Sequence, residues 1–211
     1  MRAVPLVVGC LVLTACGATP TPSAHLAPPH CVAQTTGLLT LPEVESVLGS
    51  SAAGWLQTSD GSSPVLGLWG NGDASYPGFV GRAQRDFQLG GQSGAGTPQI
   101  FHVAEASMDF GSVQMAQKWL AGQRTINIPN DNPRTRNGVE SIIATATIGD
   151  DTFAYQLPGR PDGVYTDIES RIGPYLLAVS TQTSPTFDAT TAVVSLLGSL
   201  HAKEQAACGV A

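Results

Sequence analysis

The hydrophobic rhythm of the chain changes several times, and each change marks an element. Near the start, Ala3 to Leu13 is an almost unbroken apolar run. Further on, Leu41, Val44, Val47 and Leu48 recur at helical spacing. Thr40 and Glu43 stand at the N-cap and N3 positions of a capping box, and Gly49 supplies the stop. A second helix is predicted from Val113 to Ala121, capped by Ser112 and ended by Gly122, with Val113, Ala116, Trp119 and Leu120 as its buried stripe. A third opens at Ser184-Pro185, with proline at N1, and runs to about Ala206. Thr190, Val194, Leu197 and His201 share one side of it, with Val193, Leu196 and Leu200 beside them.

Between the helices the pattern is that of strands. Residues 65–70 read as a short strand, and 76–89 are ambiguous, with a second strand near Ala83–Leu89. Whether residues 50–98 hold one strand or two stays open. Residues 90–98 and 127–138 read as loops. Residues 100–110 have strand composition with imperfect alternation. Four strands then follow in series, 139–148, 152–157, 164–172 and 175–182. Gly149-Asp150-Asp151 turns the first pair and Gly173-Pro174 the last. Strands that follow one another through tight turns pair antiparallel. The expected fold class is α+β, a curved antiparallel β-sheet with helices packed on one face.

The first apolar run is too short for a bilayer, which needs about 20 residues. With Arg2 before it, the run has the form of a signal-peptide core, so residues 1–15 are set apart from the fold. It ends in Leu13-Thr14-Ala15-Cys16, which resembles the bacterial lipobox. That resemblance implies lipidation of Cys16 and cleavage before it. Val7-Val8-Gly9-Cys10 fits the same pattern loosely, and an ordinary secretory signal is the other alternative. Residues 16–30, with four prolines among Ser, Thr and Ala, form a semi-rigid tether to a single domain over residues 31–211. His25 and His30 lie in the tether with no further metal ligand near.

Of four cysteines, Cys31 and Cys208 remain to the domain, one at each end. An exported compartment permits a disulfide between them. It would close a loop of about 180 residues, worth about 5 kcal/mol at most. The alternative is two unpaired thiols. Their separation excludes a structural zinc site, which needs close Cys/His pairs.

Composition narrows the function classes. Charged residues are 12% of the chain, with 10 basic against 16 acidic, and 42% are hydrophobic. There is no Lys/Arg stripe for nucleic acid and no charge-rich heptad for a coiled coil. Hydrophobicity is too high for charge-driven disorder.

Four features recur together: the lipobox with its Pro/Thr tether at Cys16, Leu38–Val44 (LLTLPEV), Ile148–Phe153 (IGDDTF) and Arg171–Gly173 (RIG). This combination resembles small actinobacterial cell-envelope lipoproteins. Some of those are similar to the extracellular sensor domains of mycobacterial receptor Ser/Thr kinases. The resemblance spans about residues 31–206 and implies a helix-backed antiparallel sheet with a cleft on the outer face of the membrane. No catalytic residues come with it.

Candidate chemistry is sparse. Gly91-Gln92-Ser93-Gly94-Ala95 lacks the last glycine of a nucleophile elbow, and nothing specifies a Ser93/His102/Asp109 triad. The Gly-rich stretch has no lysine for a P-loop. Asp150-Asp151 fits local turn hydrogen bonding better than metal binding. Arg134 and Arg136 near Asp131 fit a solvated loop, and His102 and His201 fit satisfied core positions. Trp55, Trp69, Tyr76 and Phe79 are candidates for lining an apolar ligand cleft, with ordinary core as the alternative. No cofactor or metal is expected. The expected function is a lipid-anchored, non-catalytic domain binding a lipid, a glycan or an envelope protein. The alternatives are an envelope-acting hydrolase or transferase, and a structural accessory subunit.

Overall fold

Strands consecutive in the chain pair antiparallel in two blocks, and one long-range pairing fuses them. The computed structural model describes residues 32, 34–49, 54–63, 78–90, 99–127, 141–160 and 163–209. A 3-10 turn, Thr35–Gly37, leads to α1 (Leu41–Leu48). The first block is β1 (Trp55–Ser63), β2 (Gly81–Leu89) and β3 (Ile100–Asp109). Helix α2 (Val113–Asn127) leads to the second block. That block is the two-residue β4 (Ser141–Ile142), β5 (Asp151–Arg160), β6 (Gly163–Ile172) and β7 (Tyr175–Thr183). Helix α3 (Thr190–Cys208) follows. The sheet order is β1-β2-β3-β7-β6-β5-β4, with every pair antiparallel and β3–β7 as the central seam.

Period-2 side-chain alternation divides the sheet residues between two cores. Ala83, Phe87, Val103, Ala154, Ile168, Leu177 and Val179 pack with α1 and with Val193, Leu196, Leu197 and Leu200 of α3. Residues of the opposite phase, Ala106, Met108, Phe153, Leu176 and Ala178, pack with Ala116, Trp119 and Leu120 of α2. Phe110 tilts against Trp119 at 5.7 Å and meets Phe79 edge-on at 5.4 Å.

The expectation of a curved sheet with helices on one face is corrected on both counts. The sheet is open and not strongly curled. Helices cover both faces, because α2 buries its Trp119 stripe on the side opposite α1 and α3.

Local signals fared unevenly. The capping box is present: Glu43 Oε2 accepts from the Thr40 N–H at 2.6 Å and from Thr40 Oγ1 at 2.7 Å. Gly149 sits at φ 70°, and a Cβ there would lie 2.6 Å from the Arg171 carbonyl oxygen, so only glycine lets that turn close. Gly122 does not end α2, which continues to Asn127. The last helix starts at Thr190, not Pro185. Its first turn is set by Asp188, whose carboxylate accepts from the Thr190 N–H at 2.9 Å. Residues 50–98 contain two strands among those described, and the predicted strand at 65–70 lies outside the described residues. The 139–148 strand contracts to Ser141–Ile142.

The expected Cys31–Cys208 disulfide is also corrected. No disulfide is found between described residues. Cys208, at the end of α3, is buried. Cys31 lies outside the described residues.

Because both cores share one set of strands, they should unfold together. Phe110→Ala and Leu197→Ala, one in each core, should each lower the unfolding free energy by about 2–5 kcal/mol. Denaturant titration followed by near- and far-UV circular dichroism should give one coincident transition for each. Two resolved transitions would show independent faces.

Candidate functional site

The sheet opens at one edge. Ile143 N–H bonds to the Ala154 carbonyl at 2.9 Å, but beyond that point the chain leaves β5 and returns only through the turn. There Thr152 Oγ1 donates to the Ile148 carbonyl and accepts from its N–H, both at 2.8 Å. The parting leaves a slot of about 310 Å³ lined by Arg124, Ile142, Ile143, Ala144, Thr145, Thr152, Phe153 and Ala154. This is the lower end of the range for small-molecule sites. Ile142 is 58% exposed, unusual for a large apolar side chain beside a cavity.

Arg124 holds the slot open. Its guanidinium grips Asp151 through two bonds of 2.9 and 2.6 Å and lies 5.6 Å from the Phe153 ring centroid. It also donates to the Thr152 carbonyl at 3.2 Å. That carbonyl points the same way as Ala154's, toward the missing stretch of β4, so Arg124 stands in for a strand partner. The fork-on-carboxylate bonding raises the Arg124 pKa and lowers that of Asp151. An arginine has five N–H donors, and these contacts leave two for a ligand.

A second polar cluster crosses β1–β3 on the α2 face. Ser59 Oγ donates to Asp86, Gln84 Nε2 donates to Asp86 Oδ2 at 3.0 Å, and His102 Nε2 lies 3.5 Å from Asp86 Oδ1. Burial opposes ionisation of Asp86, but these partners outweigh it and its pKa is lowered. The order is Ser–Asp–His, with the acid in the middle. A serine nucleophile needs the imidazole between the two, so this arrangement does not activate Ser59.

Glu169 is buried in the same face, and its Oε2 has no hydrogen-bond partner among the described residues. Burial first, and Asp167 second, raise its pKa to about 8. Among the described residues, no group of three or more His, Cys, Asp and Glu is placed to hold a metal ion.

Sequence-predicted residues do not converge here. Trp55 is buried in the α3-side core and Phe79 packs on the α2-side core, so the two lie on opposite faces of the sheet. Cys16, Cys31, Trp69, Tyr76, Ser93, Arg134 and Arg136 lie outside the described residues. Asp150 serves its turn, accepting from Arg171 Nη1 at 2.8 Å and from the Gly173 N–H at 2.7 Å. Sequence reasoning missed Arg124, whose partner is 27 residues away. It also missed Asp86, although Asp86 stands one residue out of phase with Ala83 and Phe87 in an alternating strand.

No protein-family profile matches the chain, and no curated protein matches it. Among solved structures, it is similar to the extracellular domain of PknH from Mycobacterium tuberculosis. The TM-score is 0.53 at 11% sequence identity, over 82% of this chain and 95% of that one. At this identity the likeness establishes the fold.

The buried acids set a pH dependence. Glu169 is protonated in the fold up to about pH 8 but titrates near 4.5 when unfolded. Its contribution is therefore fully present below about pH 4.5 and is lost as pH rises through that window. Asp86 and Asp151, with lowered values, act oppositely and only at lower pH. Melting temperature should fall by several degrees between about pH 5 and pH 8. Glu169→Gln, which cannot ionise, should flatten part of that slope. A melting temperature that rises over the window would contradict the assignment.

Proposed function

We propose that the chain is a lipid-anchored extracytoplasmic domain of the cell envelope that binds a ligand or partner without transforming it. The supporting observation is the likeness of its fold to an extracellular domain over 82% of the chain. The N-terminal pattern agrees with it, with its apolar run, its Leu-Thr-Ala-Cys ending at Cys16 and its proline-rich tether. Lipidation at Cys16 would supply the anchor, since two or more acyl chains hold stably where one does not. Among the described residues no helix is long and apolar enough to cross a membrane.

The slot beside β5 is the binding site in this reading. Its walls are Ile142, Ile143, Ala144 and Phe153, and Arg124 offers two donors beside them. Arg124 is already neutralised by Asp151, and the whole chain carries a net charge of −6. The slot therefore suits an apolar group carrying a neutral acceptor, such as an amide, ester or hydroxyl, better than a free anion.

Two experiments test the two halves of the proposal. Cys16→Ala should move the protein from the membrane to the soluble fraction and abolish labelling by an alkyne fatty acid. Persistent labelling would defeat the anchor. Native mass spectrometry of protein extracted from its own membrane should show a bound small molecule, lost when Ile142→Trp fills the slot. An adduct that survives the substitution would place the ligand elsewhere.

A further inference from the structure

A second polar assembly lies on the opposite face, where the chain enters the domain. Residues Val32, Leu38 and Leu39 are buried against the sheet, and buried polar side chains hold their backbone. Arg85 of β2 is the main clamp. Its Nη1 donates to the carbonyls of Leu39 at 2.5 Å and Leu38 at 3.3 Å, and its Nη2 to that of Thr35 at 3.2 Å and to Asp60 of β1 at 3.1 Å. Ser107 of β3 donates its one hydroxyl hydrogen to the Val32 carbonyl.

Two carboxyl groups sit behind this clamp. Glu204 of α3 is fully buried against Gly37, where even a Cβ would overlap its carboxyl. Its Oε2 lies 3.4 Å from Cys208 Sγ, and its Oε1 has no partner among the described residues. Glu105 of β3 is 1% exposed, with the Leu39 N–H and the Arg85 guanidinium as the groups that favour its charge. The remaining charges near the pair are Lys203 of α3 and Glu43 of α1, which pair with each other at 2.5 Å.

We infer that Glu204 and Glu105 make the docking of Val32–Leu39 depend on protons, so that the segment is latched when both carboxyls are neutral and released when they ionise. The competition is for hydrogens already in use. An ionised Glu204 accepts only, and the nearest hydroxyl is Ser107, whose hydrogen now secures Val32. An ionised Glu105 draws on Arg85, whose donors now secure Leu38, Leu39 and Thr35, and the Leu39 N–H offsets its burial only in part. Burial raises the Glu204 pKa to about 7 and that of Glu105 well above its usual range, with Ser107 and Lys203 partly offsetting the first and Arg85 the second. Glu43, partly buried but bonded by Lys203 and Thr40, is lowered to about 2 and stays charged throughout. The segment released is the one that carries the tether, so the device sets how far the domain stands from its anchor.

Hydrogen exchange of the full chain tests the latch. Relative to intrinsic rates, amides of residues 35–44 should open about tenfold more readily at about pH 8.5 than at about pH 6, from Glu204 alone. Amides of Leu176–Ser180 at the central seam open with the whole fold and carry the Glu169 dependence as well, so the latch is read from the change at residues 35–44 that the Gln variants remove. Glu204→Gln should hold the segment closed at both values, and Glu105→Gln should reduce the change. Equal protection at both pH values, or an unchanged response in both Gln variants, would overturn the proposal.

Discussion

Strands β3, β7 and β6 are covered on both faces, and most of the structure follows from accommodating that. Residues 103–109, 166–172 and 176–181 are buried whichever way they point. A strand covered on one face can turn its polar residues outward, and these cannot. Each buried charge therefore has a local solution. Asp109 accepts from the Gly111 N–H at 2.7 Å, and Arg171 pairs with Asp150 and the Gly173 carbonyl. Glu169 Oε2 has no such partner among the described residues, and burial favours the protonated form of Glu169 and, against Arg85 and the Leu39 N–H, of Glu105.

The same constraint explains which parts of the fold were legible. Signals confined to a few neighbouring residues were accurate: the Thr40–Glu43 capping box, the Gly149 turn, and the hairpin through Gly173-Pro174. The imperfect alternation at 100–110 belongs to a strand buried on both faces, which an expectation of helices on one side does not accommodate. Tertiary contacts overrode local preference elsewhere. Trp119 and Leu120 anchor α2 strongly enough that Gly122 does not end it. Residues 143–148 have strand composition but part from β5, where Arg124 satisfies the edge instead.

The site was less legible than the fold, because its residues are joined only by pairing across strands. Arg85 shows this well. It stands in phase with Ala83 and Phe87, which marks it as facing a core, yet nothing nearby names the carbonyls it binds. His102 was visible as a strand histidine, while its partner Asp86 lies on the neighbouring strand. Aromatic residues drew attention as cleft candidates, but Trp55 and Phe79 stand on opposite faces and serve separate cores.

The two polar assemblies are held by different halves of the architecture. Arg124 is placed by α2, and α2 by the core of Phe110, Trp119 and Leu120. Glu204 is placed by α3, and α3 by the core of Leu196, Leu197 and Leu200. A sheet of packed strands lies between them, and packed interiors resist small displacements. Movement of the N-terminal segment can therefore proceed on one face while the slot at the β5 edge keeps its shape. The slot and the docked N-terminal segment then have separate physical controls. The low charge of the chain fits this division: its few charged side chains are concentrated where a backbone must be held, with uncharged polar groups left to meet water.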